Sequence, residues 1–182
     1  MLRFRDLKNT EIDCRVASCN EKGVSLLLYK DARCDMNILD ETVGSVNWQR
    51  MHELINGSLF CNVGININYA DNSADPIWVW KQDVGVESYT EKEKGQASDS
   101  FKRACFNWGI GRELYTAPFI WINKEDVRLK ESEYQGKKKY TTYDKFRVTQ
   151  IIIEDKKIVA LAIKNDSTGK MVYRVDFREK KE

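Results

Sequence analysis

Three residues near the middle of the chain, Lys102, Arg103 and Phe106, combine side-chain types that suit a nucleic-acid strand. Phosphates need cations to neutralise them, and unpaired bases need a flat apolar surface to stack on. Their spacing brings the three together only if the backbone between them is helical. On a 3.6-residue wheel Phe106 then lies about 40–60° from each basic neighbour. The alternative for the same residues is plainer: Phe106 packs on a neighbouring subunit and the cations are solvated.

The stretch KGQASDSFKRACFNWGIGRELY supplies that helix. Its periodicity predicts a helix from near Lys94 to about Trp108, with Ala97, Phe101, Ala104, Cys105 and Trp108 on one apolar arc. Lys102, Arg103 and Phe106 fall on the opposite side, and Gly109 and Gly111 end the helix. An apolar arc needs a surface to cover, and the preceding strands provide one. Trp48–Ile55 leads through the tight-turn pair Asn56-Gly57 into an alternating strand from Leu59 to Tyr69. A loop over 70–76 then reaches a strand from Ile77 to Glu87, with Trp78, Trp80, Val84 and Val86 on one face.

Other elements flank this core. Residues 11–29 read as a hairpin, and Lys30–Val43 as a helix with Ala32, Met36, Leu39 and Val43 on its stripe and Gly44 as its stop. After Tyr115 come a short apolar piece over 117–122 and a charged segment from Asn123 to Lys139, a loop by composition. Tyr143–Ile153, Lys156–Lys164 and Lys170–Phe177 form a meander, which either extends the sheet or stands as an appendage. The expected class is α+β: an antiparallel β-β-β-α core covered by helices, with a C-terminal β-meander. The expectation is one domain over 1–182, with its core at about 30–122 and a β extension at about 140–178.

Bulk properties narrow the function. A formal net charge of +2 means that any polyanion site is a local patch, not a whole-chain field. Five cysteines without a CxxC pair, and no export signal, read as reduced thiols in a cytoplasmic protein. No apolar run reaches the length of a membrane span. The chain has no GxxxxGK phosphate loop, which argues against ATP-driven chemistry. His52 is the only histidine and has no clustered cysteines, so it reads as structural, and neither a metal nor a cofactor is expected.

The helix block resembles the signature helix of the RAD fifty-two family of single-strand annealing proteins, most closely the short phage recombinases of that family. The match falls at Lys94, Asp99, Lys102-Arg103-Ala104, Trp108, Gly109, Gly111 and Leu114-Tyr115. Upstream, DARCDMNILDETVGSVNW resembles the family's first helix and its closing glycine and tryptophan, here Gly44 and Trp48. The two blocks and the strands between them cover roughly residues 30 to 120.

The resemblance implies a non-enzymatic protein that binds single-stranded DNA and anneals complementary strands in ATP-independent recombination and repair, encoded by a phage or prophage. It implies a homo-oligomeric ring with DNA in a groove between the sheet and its flanking helices. Its partners would be single-stranded DNA, the annealed duplex intermediate, and a phage exonuclease or a host single-strand-binding protein. By the same resemblance Lys102 and Arg103 are phosphate contacts, Lys94 a weaker one, and Arg33 an approximate match to a DNA-contacting arginine. Phe106 stands where many eukaryotic relatives carry a third cation, so stacking replaces charge there. Arg112 and the run Lys137–Lys139 would compensate, although such a run is also what a solvated loop carries. Two other classes compete. Asp75, Asp83 and Lys81 loosely suggest a metal-dependent nuclease acting on DNA ends, and the chain could instead be an interaction module that binds no nucleic acid.

Overall fold

A computed structural model describes residues 2–71, 73–86 and 92–178, apart from the side chains of residues 92–94 and 134. In chain order it has strands β1 (Asp13–Asn20) and β2 (Gly23–Tyr29), helix α1 (Ala32–Val43) and strands β3 (Trp48–Ile55), β4 (Ser58–Asn66) and β5 (Trp78–Val84). Helix α2 (Lys92–Trp108) follows, then β6 (Ile120–Asn123), β7 (Lys130–Tyr134), β8 (Lys137–Thr141), β9 (Phe146–Glu154), β10 (Lys157–Asn165) and β11 (Lys170–Asp176). These elements make an α+β protein with antiparallel pairing throughout.

The chain packs as two compact units. One takes the N-terminal residues up to Asp6 with Asp31–Arg112; the other takes Leu7–Lys30 with the chain from Glu113 on. In the first unit, α1 and α2 accompany the three-stranded sheet β3-β4-β5. Asn56 and Gly57 make the expected turn, at φ 50° and 80°. Asp31 caps α1, its carboxylate accepting from the Cys34 N–H at 2.9 Å, and Gly44 ends it at φ 82°. The buried stripe of α1 is Cys34, Ile38, Leu39 and Val43, with Ala32 and Met36 at its margin. β4 stops at Asn66, short of the expected Tyr69. The reason is local: the Asn66 side-chain oxygen accepts from the N–H groups of Asn68 and Ile77, closing the loop and leaving Ile67 45% exposed.

The second unit settles where the meander goes. β9, β10 and β11 do not extend the first sheet; they join the N-terminal hairpin in a six-stranded sheet ordered β11-β10-β9-β1-β2-β6. The joint is the pairing of β1 with β9, Asp13 opposite Arg147. β6 pairs with β2, and this removes residues 120–123 from the expected first core. The segment read as a loop over 123–139 instead contains β7 and the start of a hairpin with β8. Its turn is Gln135-Gly136, at φ 52° and 73°. Composition misled here because exposed strand residues on both faces look like loop residues.

Among the described residues no helix is long and apolar enough to cross a membrane. All five cysteines are free thiols. Burial, with Asp13 and Asp166 adding to it, pushes the Cys14 thiol up to about 12, and burial pushes Cys61 up to about 11. Such thiols are poor nucleophiles near neutrality.

Candidate nucleic-acid interface

Helix α2 lies close against the sheet because the chain is narrow where the two meet. A Cβ built on Gly85, just past β5, would sit 2.2 Å from the Gln96 carbonyl oxygen and 2.8 Å from the Ser100 nitrogen. Only glycine lets the helix backbone approach that far. The contact is then stitched by hydrogen bonds. The Gln96 amide donates to the Gly85 carbonyl at 3.2 Å, and the Asp99 carboxylate accepts from the Val86 N–H at 3.0 Å. The arc predicted from periodicity is the buried one: Phe101, Ala104 and Cys105 are fully buried. Beneath them lie Cys61, Val63 and Ile65 of β4, and Trp108 is tied to that strand by its indole N–H, which donates to the Val63 carbonyl at 2.9 Å.

With the apolar arc inward, Lys102, Arg103 and Phe106 come to the outer side of α2 as expected, each partly exposed. Their surroundings differ. Lys102 has no hydrogen bond or ion pair among the described residues. The Arg103 guanidinium is 3.3 Å from the Asp83 carboxylate and remains 42% exposed, so it is oriented without being buried. Asn107 completes this corner, its amide donating to the Gln82 carbonyl at 3.0 Å and to Asp83 at 3.3 Å.

Arg112 has a more specific place than its sequence position suggests. Its Nε donates to the Phe106 carbonyl and its Nη2 to the Asn107 carbonyl, both at 2.9 Å. Those carbonyls lie in the last turn of α2, where they also accept from the Gly109 N–H and the Lys81 ammonium, and where a cation suits the negative end of the helix dipole. The guanidinium thereby lies 5.5 Å from the Phe106 ring centroid. Phe106 and Arg112 are thus a composite, an aromatic ring joined to a guanidinium plane. Both surfaces can stack on a base.

Two further cations, Arg50 and Lys81, had no place in the expected DNA site. Across the sheet Arg50 pairs with Val63 and Val63 with Lys81, so the three form one row on the face that α2 covers. The Arg50 guanidinium sits 4.9 Å from the Phe101 ring centroid, and Phe101 also stacks on Trp48. The Lys81 ammonium is 4.6 Å from the Trp108 ring and donates to the Asn107 carbonyl at 2.9 Å. Polar residues on flanking strands read as solvent-facing in an alternating pattern. For Arg50 the signal that could have found it is the register set by Asn56-Gly57, which aligns it with the core residue Val63; the β4–β5 register that places Lys81 has no such tight turn.

The remaining candidates are dispersed. Arg33 lies in the first turn of α1, 85% exposed and 3.0 Å from the carboxylate of Asp31. Lys94 falls within α2, and its side chain is outside the described residues. His52, expected to be partly buried, is exposed, and its Nε2 bonds to the Ala97 carbonyl at 3.1 Å. The Lys137–Lys139 run is the strand β8 in the second unit. The acidic residues that suggested a nuclease are not gathered: Asp83 is engaged with Arg103 and Asn107, and Asp75 lies in the loop before β5. Among the described residues no group of three or more His, Cys, Asp or Glu side chains could hold a metal ion.

No protein-family model matches the chain, and no solved structure matches it. Among curated proteins it is similar to the single-stranded DNA-binding protein DdrA of Deinococcus radiodurans, with 30% identity over 105 residues. The aligned stretch is 57% of this chain and 47% of DdrA, so the chain spans about half the length of the curated relative it matches.

Proposed function

We propose that this protein binds single-stranded DNA and promotes the annealing of complementary strands, without ATP hydrolysis or other catalysis, in phage or prophage recombination and repair. The observation that carries the reading is the similarity to a single-stranded DNA-binding protein. The geometry supports it: cations and an aromatic on the outer side of a helix whose inner side is fully committed to the sheet. Lys102 and Arg103 contact phosphates, and the Phe106–Arg112 pair offers stacking surface to a base. None of these groups is held in a bidentate frame for base edges, so binding carries little sequence preference. A groove on a chain this small contacts a few nucleotides, so the annealing form is a ring of copies that repeats the groove.

Incubation with labelled single-stranded DNA, with and without magnesium, tests the reading. A shift without cleavage and faster pairing of complementary oligonucleotides support it. Cleavage favours the nuclease, and neither shift nor cleavage favours an interaction module. Light scattering that shows a monomer across micromolar concentrations, with and without DNA, would defeat the ring.

A further inference from the structure

The run Lys137-Lys138-Lys139 is three like charges in sequence, but a strand sorts them onto two faces. In the β7–β8 register Glu131 lies opposite Tyr140 and Glu133 opposite Lys138, while Ser132 lies opposite Lys139 and Lys130 opposite Thr141. Directly opposed residues share a face. One face therefore carries Glu131, Glu133, Lys138 and Tyr140; the other carries Lys130, Lys137 and Lys139 and no carboxylate.

The two faces are in different electrostatic states. On the mixed face the Lys138 ammonium is 2.8 Å from Glu131, which also accepts from the Tyr140 hydroxyl at 3.0 Å. Those hydrogen bonds, with Lys138 foremost, hold the Glu131 carboxyl below its ordinary range. On the basic face Lys130, Lys137 and Lys139 are all exposed, and none is in an ion pair among the described residues. Lys130 lies 5.8 Å from the ring centroid of Tyr143, which is 79% exposed.

The hairpin is clamped where it leaves the body of its unit. Arg128, just before β7, donates its backbone N–H to Asp144 at 2.9 Å and its guanidinium to the same carboxylate at 2.7 Å. Asp144, just after β8, also accepts from the Asn165 amide at 2.8 Å, and that amide donates to the Asp126 carbonyl at 3.2 Å. A buried carboxylate thus joins both ends of the hairpin to the end of β10.

We propose that this basic face, Lys130, Lys137 and Lys139 with Tyr143 at its end, is a second contact for the backbone of single-stranded DNA, on a different unit of the chain from the α2 site. Lys137 and Lys139 are about 6.8 Å apart along β8, and Lys130 continues the track diagonally at about 7–8 Å. A strand drawn out from its stacked rise of about 3.4 Å per phosphate approaches this spacing, so each lysine meets one phosphate. An extended, repeating anion matches a linear track of cations with no acid among them. Tyr143 adds a ring for a base where the track ends.

The inference rests on the proposed DNA binding, and the test separates the two. Affinity for a labelled oligonucleotide is measured over a salt series for the wild type, K130Q/K137Q/K139Q, K138Q and K102Q/R103Q. The triple variant is expected to fold as the wild type, since the side chains are exposed, and to lose about 2 from the slope of log affinity against log salt. K138Q, in the same run but on the paired face, is expected to leave the slope unchanged. If the triple variant keeps the wild-type slope while K102Q/R103Q loses part of it, the second contact is overturned and DNA binding stands. A slope loss in K138Q equal to a third of the triple variant's would also overturn it, since run charge alone would then act. A triple variant that loses affinity for phosphatidylserine vesicles and not for DNA overturns it in favour of a membrane surface. Absence of DNA binding by the wild type overturns both readings.

Discussion

Around α2, Arg103 lies against Asp83, Lys81 donates to the Asn107 carbonyl and Arg112 donates to the carbonyls of Phe106 and Asn107. On the β7–β8 hairpin Lys130, Lys137 and Lys139 stand exposed without an anionic partner among the described residues. Both are basic surfaces, but a ligand meets them differently. Arg103, Lys81 and Arg112 are already oriented, so less side-chain freedom is lost when a phosphate arrives. Arg103 must share itself with Asp83, however, and Lys102 has no such restraint among the described residues. The hairpin lysines offer charge with little prior order, and their contribution is chiefly counterion release. A held site is sensitive to packing; a loose one is sensitive to salt.

The largest test of that contrast removes the support of the held site. Gly85→Ala places a methyl 2.2 Å from the Gln96 carbonyl oxygen, so α2 must lift from β5. The expected loss is about 3 kcal/mol of stability, read by chemical denaturation, together with loss of the α2 contribution to DNA affinity. The hairpin's share of the salt slope should survive at temperatures where the variant remains folded.

The hairpin has its own support, and breaking it comes next. Burial alone would raise the Asp144 carboxyl, but hydrogen bonds from the Arg128 N–H, the Asn165 amide and the Arg128 guanidinium outweigh it and hold the carboxyl below its ordinary 3.8. The folded value is depressed, so this stabilisation is complete above the ordinary value and is lost as pH falls through the folded one. Asp144→Asn is expected to cost about 2–3 kcal/mol near neutrality. The wild-type and variant stabilities should converge as pH drops below 3.8. A gap that stays constant down to that pH and beyond would show that the charge of Asp144 is not what the clamp uses.

Smaller effects sharpen the division of work at α2. Phe106→Ala should weaken DNA binding by about 1–3 kcal/mol and leave the salt slope unchanged. Phe106→Arg should restore affinity and steepen the slope. Loss of the oligomer in Phe106→Ala, with DNA binding lost only in consequence, would make Phe106 an interface residue. The smallest change is expected for Lys102→Ala, which should shallow the slope by about 0.7–1 and weaken all sequences alike.

Much of the first unit was written locally. A 3.6-residue period put Phe101, Ala104 and Cys105 under α2 and Lys102, Arg103 and Phe106 outside it, because helix geometry alone divides those faces. Asn56-Gly57 and Gly44 marked their turn and helix stop, because few other residues take a positive φ at low cost. What no local pattern contained was register across distant strands. Lysine-rich β8 read as loop until pairing with β7 sorted Lys137 and Lys139 from Lys138, and nothing local set Arg50 and Lys81 beside α2 until β4 aligned both with Val63. Arg112 became a helix cap only where the chain turned back on the end of α2. The meander's place beside the N-terminal hairpin rests on the pairing of Asp13 with Arg147, more than a hundred residues apart in sequence. Helix faces and tight turns depend on near neighbours along the chain, so the sequence by itself determined them. Which cations are held and which stand open depends on groups that only folding brings within hydrogen-bond reach, and the tertiary structure decided that.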